Sequence, residues 1–428
     1  MAQIATNSKQ KINGKPTLVL KFGGSSVADQ ECIERISKIA IKEAKNHNVV
    51  VVVSAMGKTT NGLVELANRI SPNVRGRELD MLLATGELVS ISLCAMAIAE
   101  QGHEAISLTG WQAGFITESE HNKARIAEIK TEKIIKNLEA NKIVVIAGFQ
   151  GITEEGEVTT LGRGGSDTSA VALTAALGAE RCDIYTDVDG IYTTDPRIEK
   201  KATKLAYISH EEMLELASLG AKVLHPRSVE LAKKYDVDLR VRSSFEPDTP
   251  GTKVISLKRI KDMELTKAVT GVALDDSQAW IGMMNVPDVP GIVSKIFTAL
   301  SDKSISVDMI IQSVPIDGAN DVAFTVPQED LQAAVAICND LSSDMKDTKV
   351  ISDKNIAKVS IVGAGMINRP GIASKLFQIL SKEEINIQMI ATSEIKISCV
   401  IDPKDSKRAV QAIHKAFELD LSSEPILA

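Results

Sequence analysis

Residues 160–170, TLGRGGSDTSA, combine groups that can hold an anion with a carboxylate that can organise a reaction. Three glycines surround Arg163, and Asp167 follows where a segment rich in alanine and leucine begins. Backbone amides at the start of a helix bind anions, and a guanidinium binds a carboxylate through two parallel hydrogen bonds. The stretch therefore predicts an anion site, although Asp167 could also serve only as a helix cap.

Two other stretches place polar groups where an apolar run ends. Lys21 and the pair Gly23 and Gly24 lie in VLKFGGSSV, and Ser54 and Thr59 follow a run of five valines. Amides at such turns point outward, and the dipole of the helix that follows adds positive potential. Taken alone, each stretch is explained about equally well by a plain polar turn.

Three further features belong to the same part of the chain. Glu87 lies inside an apolar helical segment, where a carboxylate needs either a bound ammonium or a neighbouring Arg or Lys. Residues 185–197, YTDVDGIYTTDPR, are typical of a loop that holds an adenine and a ribose, or of an acidic surface loop. Residues 220–228, GAKVLHPRS, add Lys222 in a similar setting.

The elements around these motifs must position them. From residue 16 to about 260, β-branched runs such as NVVVVVS and KIVVIAGFQG alternate with segments of helical spacing. Runs without polar alternation are typical of strands covered on both faces, so we predict an α/β fold with a mainly parallel sheet. Because ligands bind at the carboxyl ends of parallel strands, the motifs are expected to form one site.

The remainder of the chain contains an internal repeat. Residues 290–310 and 370–390 match at 11 of 21 positions without a gap. Strand and helix patterns around each copy predict two βαββαβ units, preceded by the Pro- and Gly-rich stretch 245–254. Residues 267–274 have the pattern of a strand that lies ahead of the first strand of the first copy. This additional strand belongs either to the first unit or to the second.

The motifs KFGGSSVAD, ATGE, GRGGSDTSA, TDVDGIYTTDPR and GAKVLHPR together resemble those of the aspartate kinases, in the amino-acid-kinase family. The repeat resembles the paired ACT domains of the same enzymes. The resemblance implies an amino-acid-kinase fold, a mainly parallel sheet covered by helices on both faces, followed by two βαββαβ ACT domains. The expected boundaries are 1–15 for a flexible N-terminal extension, 16–262 for the catalytic domain, and 263–352 and 353–428 for the ACT domains.

The resemblance also implies roles for particular residues, with ATP and Mg²⁺ as cofactors and no metal site built from protein side chains. Lys21 and Asp167 would be catalytic, Asp167 by orienting lysines. Aspartate would be bound by Ser54, Thr59, Glu87, Arg163, Gly164, Gly165 and Ser166. ATP would be bound by Lys21, Phe22, Gly23, Gly24, Thr186, Asp187, Tyr192, Arg197 and Lys222.

Feedback control would act through the ACT repeat, with lysine, threonine or both as effectors. The loop before each first helix and the strand after it are expected to form the pockets, with the loop amides taking a carboxylate and Asp308 or strand carbonyls taking an ammonium. The alternative is that these residues only form an interface between ACT units. They are Asp288, Pro290, Gly291, Val307, Asp308, Gln312, Arg369, Gly371, Asn386, Met389 and Thr392.

The composition excludes several classes of partner and of site. Aromatic residues make up 3% and the net charge is −7, which argues against nucleic acid and anionic membranes as partners. Five separated cysteines indicate free thiols, and the histidines lack zinc-site spacing. No apolar run reaches about 18 residues, and the N-terminus lacks a signal-peptide pattern; a short transit peptide is the weaker alternative. We therefore expect a cytoplasmic enzyme that forms a homo-oligomer through its ACT domains.

Two alternatives remain at this point. Another amino-acid kinase, such as glutamate 5-kinase, shares the DVDGIYTTDPR type of motif, but Glu87 and the ACT pair count against it. A catalytically inactive amino-acid sensor would also need the ACT pair, but intact Lys21, Arg163 and Asp167 count against it. The sequence leaves open which end product regulates the enzyme and whether a shorter regulatory chain is a partner.

Overall fold

The computed structural model describes residues 11–72, 74–219, 223–261, 267–345, 347–367 and 369–421. Within these ranges the chain divides into two compact units. The first unit takes residues up to 191 and residues from 204 to the 262–266 break, and the second takes 192–203 and nearly all of the rest. The expected extension lies mostly outside the described residues.

The first unit contains thirteen described strands and eight described helices. The strands are β1 Lys11–Ile12, β2 Lys15–Phe22, β3 Asn48–Val53, β4 Ala105–Leu108, β5 Phe115–Thr117, β6 Ile126–Ile129, β7 Ile143–Ala147, β8 Gln150–Ile152, β9 Val158–Thr160, β10 Arg181–Thr186, β11 Tyr207–Ser209, β12 Leu239–Ser243 and β13 Thr252–Ile255. The helices are α1 Gln30–Ala44, α2 Thr59–Ile70, α3 Arg77–Glu100, α4 Glu132–Glu139, α5 Gly165–Leu177, α6 His210–Ser218, α7 Pro226–Tyr235 and α8 Leu257–Lys261.

The main sheet of this unit has the order β11-β13-β12-β10-β2-β3-β7-β4, with β1 added to β2. The strands from β12 to β4 are parallel, while β13 runs antiparallel to β12. A smaller sheet has the order β6-β5-β8-β9. The predicted mainly parallel sheet is confirmed.

Side-chain alternation along β2 sorts its residues between two layers of helices. Leu18, Leu20 and Phe22 belong to a core cluster formed with α1 and α3. The residues between them, including Lys21, point to the opposite face because successive side chains alternate along a strand. Helix α5 packs against β2, β3 and β10, and nearly all of its residues are buried. The sequence of β2 alone thus directs Lys21 toward α5.

The N-terminal boundary needs a correction. Residues 11–15 are not part of a flexible extension, because Lys11–Ile12 pairs antiparallel with the start of β2. Asn13 and Gly14 connect the two strands and both have positive φ angles, of 50° and 77°. This is the backbone that an Asn-Gly hairpin turn requires.

Helix α3 is the one described helix that is long and apolar enough to cross a membrane by length and composition. The sequence analysis missed this property because it looked for uninterrupted apolar runs. Helix α3 contacts α1, β4, β7 and β9, and 44% of its most apolar window is buried inside the protein. A core helix of a globular unit has the same composition, so the property is weak evidence for a membrane span.

The second unit contains two antiparallel four-stranded sheets, each with two helices packed on it. The sheet orders are β16-β17-β15-β18 and β14-β19-β21-β20. The strands are β14 Gly271–Asp275, β15 Gln278–Pro287, β16 Ile310–Gln312, β17 Ala319–Pro327, β18 Lys349–Asp353, β19 Ala357–Val362, β20 Met389–Thr392 and β21 Lys396–Ile401. The helices are α9 Ile292–Asp302, α10 Leu331–Ser343, α11 Ile372–Lys382 and α12 Ser406–Ala416.

The structure decides the place of one segment that the sequence left open and corrects the place of another. Strand β14 pairs with β19, so the strand ahead of the first repeat belongs to the second sheet. Residues 192–203, expected in the catalytic domain, also belong here: the backbone of Thr193 accepts a hydrogen bond from Val272 at 2.7 Å, and its hydroxyl is 2.9 Å from His414 Nε2. Long-range hydrogen bonds, which sequence periodicity does not register, determine both placements.

The two sheets of this unit share a buried lysine. Lys358, on β19, is 1% exposed and forms ion pairs with Asp275 at 3.3 Å and with Asp308, which precedes β16 in the first repeat. Burial alone would raise the pKa of Asp275, but hydrogen bonds from Ser277 and the charge of Lys358 bring it below its usual value. The ammonium therefore links a carboxylate of the second sheet to a carboxylate of the first repeat.

Replacing Lys358 by alanine would leave Asp275 buried without its cation. We expect the free energy of unfolding of this unit to fall by about 3–5 kcal/mol, because a buried charge that loses its partner is strongly destabilising. Denaturant titration combined with hydrogen exchange of the β19 amides measures the change. Lys354→Ala, at an exposed lysine nearby, is the control and should change stability by less than about 0.5 kcal/mol. Equal effects would contradict a structural role for the buried ion pairs.

Candidate functional site

A cleft of about 1260 Å³ opens in the first unit, where β2 and β3 end and α5 begins. This volume exceeds what one small ligand needs, so two substrates can be accommodated. Ten of the residues predicted to bind or react line it: Lys21, Gly23, Gly24, Ser54, Glu87, Arg163, Gly164, Gly165, Ser166 and Asp167. The fold thus brings together four stretches of the sequence, which lie at least 30 residues apart.

Lys21 and Asp167 form an ion pair at the centre of the cleft. Lys21 Nζ lies 2.6 Å from Asp167 Oδ1, and the two side chains are only 11% and 13% exposed. Asp167 is in the first turn of α5, so a helix N-terminus adds its positive potential at the same place. The carboxylate fixes the position of the ammonium, which agrees with an orienting role rather than a proton-accepting one.

The glycines of the cleft allow close approach of chain segments. Gly164 has a φ of 69° and precedes the first residue of α5, and a Cβ atom there would lie 2.1 Å from the imidazole of His225. A Cβ on Gly24 would lie 3.0 Å from the carbonyl oxygen of Gly57. Larger residues at these two positions would push apart the segments that form the walls of the cleft.

Glu87 is a buried carboxylate with one oxygen left over. Its Oε1 accepts a hydrogen bond from the amide of Ala55 at 3.0 Å, while Oε2 has no partner among the described residues. The side chain is 2% exposed, and burial raises the pKa of Glu87 to about 7. An ammonium group brought into the cleft would restore both the charge and the missing hydrogen bond.

Other predicted residues lie elsewhere. Phe22 is fully buried and stacks on Tyr185 with ring centroids 4.8 Å apart, so only its main chain is available to a ligand. The hydroxyl of Thr59 donates to the carbonyl of Met56, and the next residues, Thr60 and Asn61, line the cleft instead. The start of helix α2 accounts for this shift of one residue.

The residues expected at the nucleotide are divided between the two units. Thr186 ends β10 in the first unit and Asp187 follows it, and their side chains are hydrogen-bonded to each other at 2.9 Å. Tyr192 and Arg197 belong to the second unit, and the guanidinium of Arg197 is 90% exposed beside Asp195. Lys222 lies outside the described residues.

The candidate effector residues precede or follow the first helix of each repeat along the chain. Gly291 and Gly371 precede α9 and α11 with φ angles of 92° and 93°. Gln312 and Thr392 end the edge strands β16 and β20. Asp308, expected to accept an effector ammonium, is already paired with Lys358. The remaining candidates are Asp288, Pro290, Val307, Arg369, Asn386 and Met389.

The sequence analysis missed part of the cleft wall. Asn122, Lys123 and Arg125 reach it from the segment before β6, and Arg227 reaches it from α7. The first three lie in a polar loop without periodicity, and only the HPR tripeptide beside Lys222 was within a recognised motif. With them the cleft combines several cations, a buried carboxylate and helix-start amides, which suits phosphoryl transfer between two anionic substrates.

Comparison with protein families agrees with this chemistry. Residues 16–243 match the amino acid kinase family, and residues 282–341 and 359–417 match the ACT domain. The fold and the cleft thus define an amino acid kinase carrying a regulatory repeat.

Individual relatives indicate which kind of amino acid kinase the chain is. An aspartokinase of Bacillus sp. (strain MGA3) is 52% identical over 407 residues, which cover 95% of this chain and 98% of the relative. The structure of E. coli aspartokinase III in complex with aspartate and ADP superposes with a TM-score of 0.77 at 27% identity, covering 94% of this chain and 99% of that one. The complex of the same enzyme with lysine and aspartate gives 0.73 at 27% identity and the same coverage. The chain belongs to the aspartate kinase family and is an ATP-dependent phosphotransferase that uses a carboxyl group as acceptor.

Glu87→Gln should stabilise the ligand-free protein, and increasingly so as the pH rises. Because the pKa of Glu87 is raised from 4.5 to about 7 on folding, wild type loses stability between these pH values, where the group ionises in the unfolded chain but stays protonated in the fold. At pH 8 the variant should be more stable by about 3 kcal/mol, and below pH 4.5 the difference should vanish. Urea titrations from pH 4 to pH 8 measure it, with the exposed Glu65→Gln as control. A difference that does not depend on pH would show that Glu87 is not buried as described.

Proposed function

We propose that this enzyme transfers the γ-phosphoryl group of ATP to the β-carboxylate of L-aspartate, giving 4-phospho-L-aspartate. The observation that carries the proposal is Glu87, a buried carboxylate with an unpaired oxygen in the same cleft as the Lys21–Asp167 pair. A phosphate donor alone has no ammonium to offer it, whereas an amino acid acceptor does. The aspartokinase III complex that contains aspartate and ADP supports the same substrates.

Each charged side chain of the cleft has a substrate group of opposite charge to bind. Glu87 binds the ammonium of aspartate, and Arg163 binds a carboxylate through its planar guanidinium. The acceptor carboxylate, with a pKa of about 3.9, is ionised at neutral pH, so no general base is needed. Lys21, held by Asp167 at 2.6 Å, and the amides at the start of α5 offset the negative charge of the transferring phosphoryl group.

Mg²⁺ is the metal that such a transfer requires, and the cleft fits a metal that arrives with the nucleotide. Within the described residues no group of three or more His, Cys, Asp or Glu side chains could hold a metal by itself. The phosphate oxygens of ATP would therefore supply most of its ligands, and Asp167, the carboxylate among the candidate catalytic residues, could contribute another. When bound, the metal neutralises phosphate oxygens and adds to the charge that Lys21 provides.

The product is an activated form of aspartate, which supports a role as the first step of lysine, threonine and methionine biosynthesis in the cytoplasm. Lysine, threonine or both would inhibit through the ACT repeat, as the lysine complex of aspartokinase III suggests. Edge strands β16 and β20 have an unpaired side in the described unit, which supports homo-oligomer formation through these sheets.

Aspartate, glutamate and UMP, offered in turn as acceptors in a coupled ADP-release assay, test the activity. We expect release with aspartate only, and Lys21→Ala should lower kcat by at least about 100-fold because it removes a charge aimed at the phosphoryl group. Lys58→Ala is the matched control, since Lys58 is exposed and outside the cleft lining. Release with another acceptor would contradict the substrate assignment, and a near-normal kcat in folded Lys21→Ala would contradict the role of Lys21.

The regulatory proposal is tested with inhibition curves for lysine, threonine and the pair. Gln312→Ala and Thr392→Ile should weaken inhibition while leaving the uninhibited kcat close to wild type, because an effector acts only through its differential affinity for two states. Lys303→Ala, at the exposed end of α9, is the control. Wild-type curves for both variants, or no inhibition of wild type at millimolar concentrations, would contradict the assignment.

A further inference from the structure

One guanidinium joins two loops that carry other arginines. Arg227 donates a hydrogen bond to the carbonyl of Leu161 at 2.5 Å and another to the carbonyl of Ala124 at 3.3 Å. The amide of Ala124 donates to the carbonyl of Thr160 at 3.0 Å, so the two loops run side by side. Arg125 follows directly after one of these contacts.

Arg163 follows two residues after the other contact, and all three arginines line the cleft. Among the described residues, no carboxylate lies within ion-pair distance of any of the three guanidiniums. Burial, and then the charge of Arg125, lower the pKa of Arg227, while Glu230 and Glu120 act weakly in the opposite direction. Like charges held together without a counter-ion destabilise a site until an anion binds.

The loop that carries Arg125 is held in place by hydrogen bonds to a buried carboxylate. Asp80, on α3, is fully buried and accepts hydrogen bonds from the amide of Asn122 at 3.0 Å and from its side chain at 2.7 Å. The hydroxyl of Thr160 donates to the same carboxylate at 2.5 Å, and His121 Nδ1 lies 2.8 Å from it. The backbone before Arg125 is therefore held in place, and Arg125 lines the cleft with an exposed side chain.

We propose that Arg125 is a further substrate-binding residue, which supplies a second guanidinium for the dicarboxylate acceptor, and that Arg227 is a positioning residue that sets the spacing between Arg125 and Arg163. The inference rests on the proposed function and deepens it. An acceptor with two carboxylates carries one more negative charge than a neutral amino acid. Two guanidiniums on adjacent loops therefore select a dicarboxylate over asparagine or another monocarboxylate.

Arg125→Met tests the first part, because this side chain is exposed and its loss leaves the fold intact. The KM for aspartate should rise at least about tenfold, while kcat and the KM for ATP change by less than about threefold. Arg125→Lys should retain part of the affinity, since it keeps the charge but loses the planar fork. Lys130→Met, at an exposed cation outside the cleft lining, is the matched control and should leave all three constants unchanged.

A ligand lacking one charge identifies what Arg125 binds. L-aspartate α-amide, titrated directly into wild type and Arg125→Met, should bind both with similar affinity if Arg125 contacts the α-carboxylate. If Arg125→Met binds the α-amide more weakly than wild type does, Arg125 contacts the β-carboxylate, and the assignment of Arg125 as a second guanidinium stands. A rise in the KM for ATP alone would assign Arg125 to the phosphates of the nucleotide and overturn the proposal, as would an unchanged KM for aspartate.

A double-variant cycle tests the positioning role of Arg227. Arg227→Met should raise the KM for aspartate in wild type but much less in the Arg125→Met background, because the two residues act on one contact. Independent effects in the cycle would overturn the positioning role, and if Arg227→Met does not fold, Arg227→Lys takes its place in the cycle. If wild type neither binds nor phosphorylates aspartate, the proposed function fails. If wild type is active and Arg125→Met keeps its KM for aspartate, only this inference fails.

Discussion

The ion pair between Lys21 and Asp167 is the interaction on which the arrangement of the cleft depends. Each partner is supplied by a different element, β2 or α5, and the pair forms only because α5 packs on the face of β2 to which Lys21 points. Two charges that are nearly withdrawn from water are costly unless they meet at close distance. The separation of 2.6 Å satisfies this condition and places a fixed ammonium beside a helix N-terminus.

Other charged groups around this pair lack a partner of opposite charge. Glu87 keeps an oxygen without a partner, and Arg125, Arg163 and Arg227, which line the same cleft, have no carboxylate within ion-pair distance among the described residues. Both features reduce the stability of the ligand-free protein, and a substrate that carries an ammonium and carboxylates relieves both. The site therefore stores part of its binding free energy as unsatisfied polar groups. Under the proposed function, this arrangement favours an acceptor that carries an ammonium and two carboxylates over a neutral amino acid.

Local sequence patterns predicted the parts of this site that lie at strand ends. Lys21 stands where an apolar run ends, and the glycines before Asp167 mark a close approach. Glu87, in a helix, stands out because a carboxylate in an apolar helix needs a partner. Patterns of this kind could not predict Arg125, whose loop is held by a buried aspartate 45 residues away in the sequence. For the same reason, residues 192–203 were assigned to the wrong domain and the place of strand β14 was left open. Distant hydrogen bonds decide where both segments pack.

The chemical form of the product tests the account most directly. An acyl phosphate reacts with hydroxylamine to give a hydroxamate, whereas a phosphate ester or a hydrolysed phosphate does not. With ATP, Mg²⁺, aspartate and hydroxylamine, the account predicts formation of aspartyl hydroxamate at the rate of ADP release, and none when aspartate is left out. ADP release in the presence of aspartate without hydroxamate would contradict transfer to a carboxylate, and with it the reading of Glu87, Arg163 and Lys21 as one site.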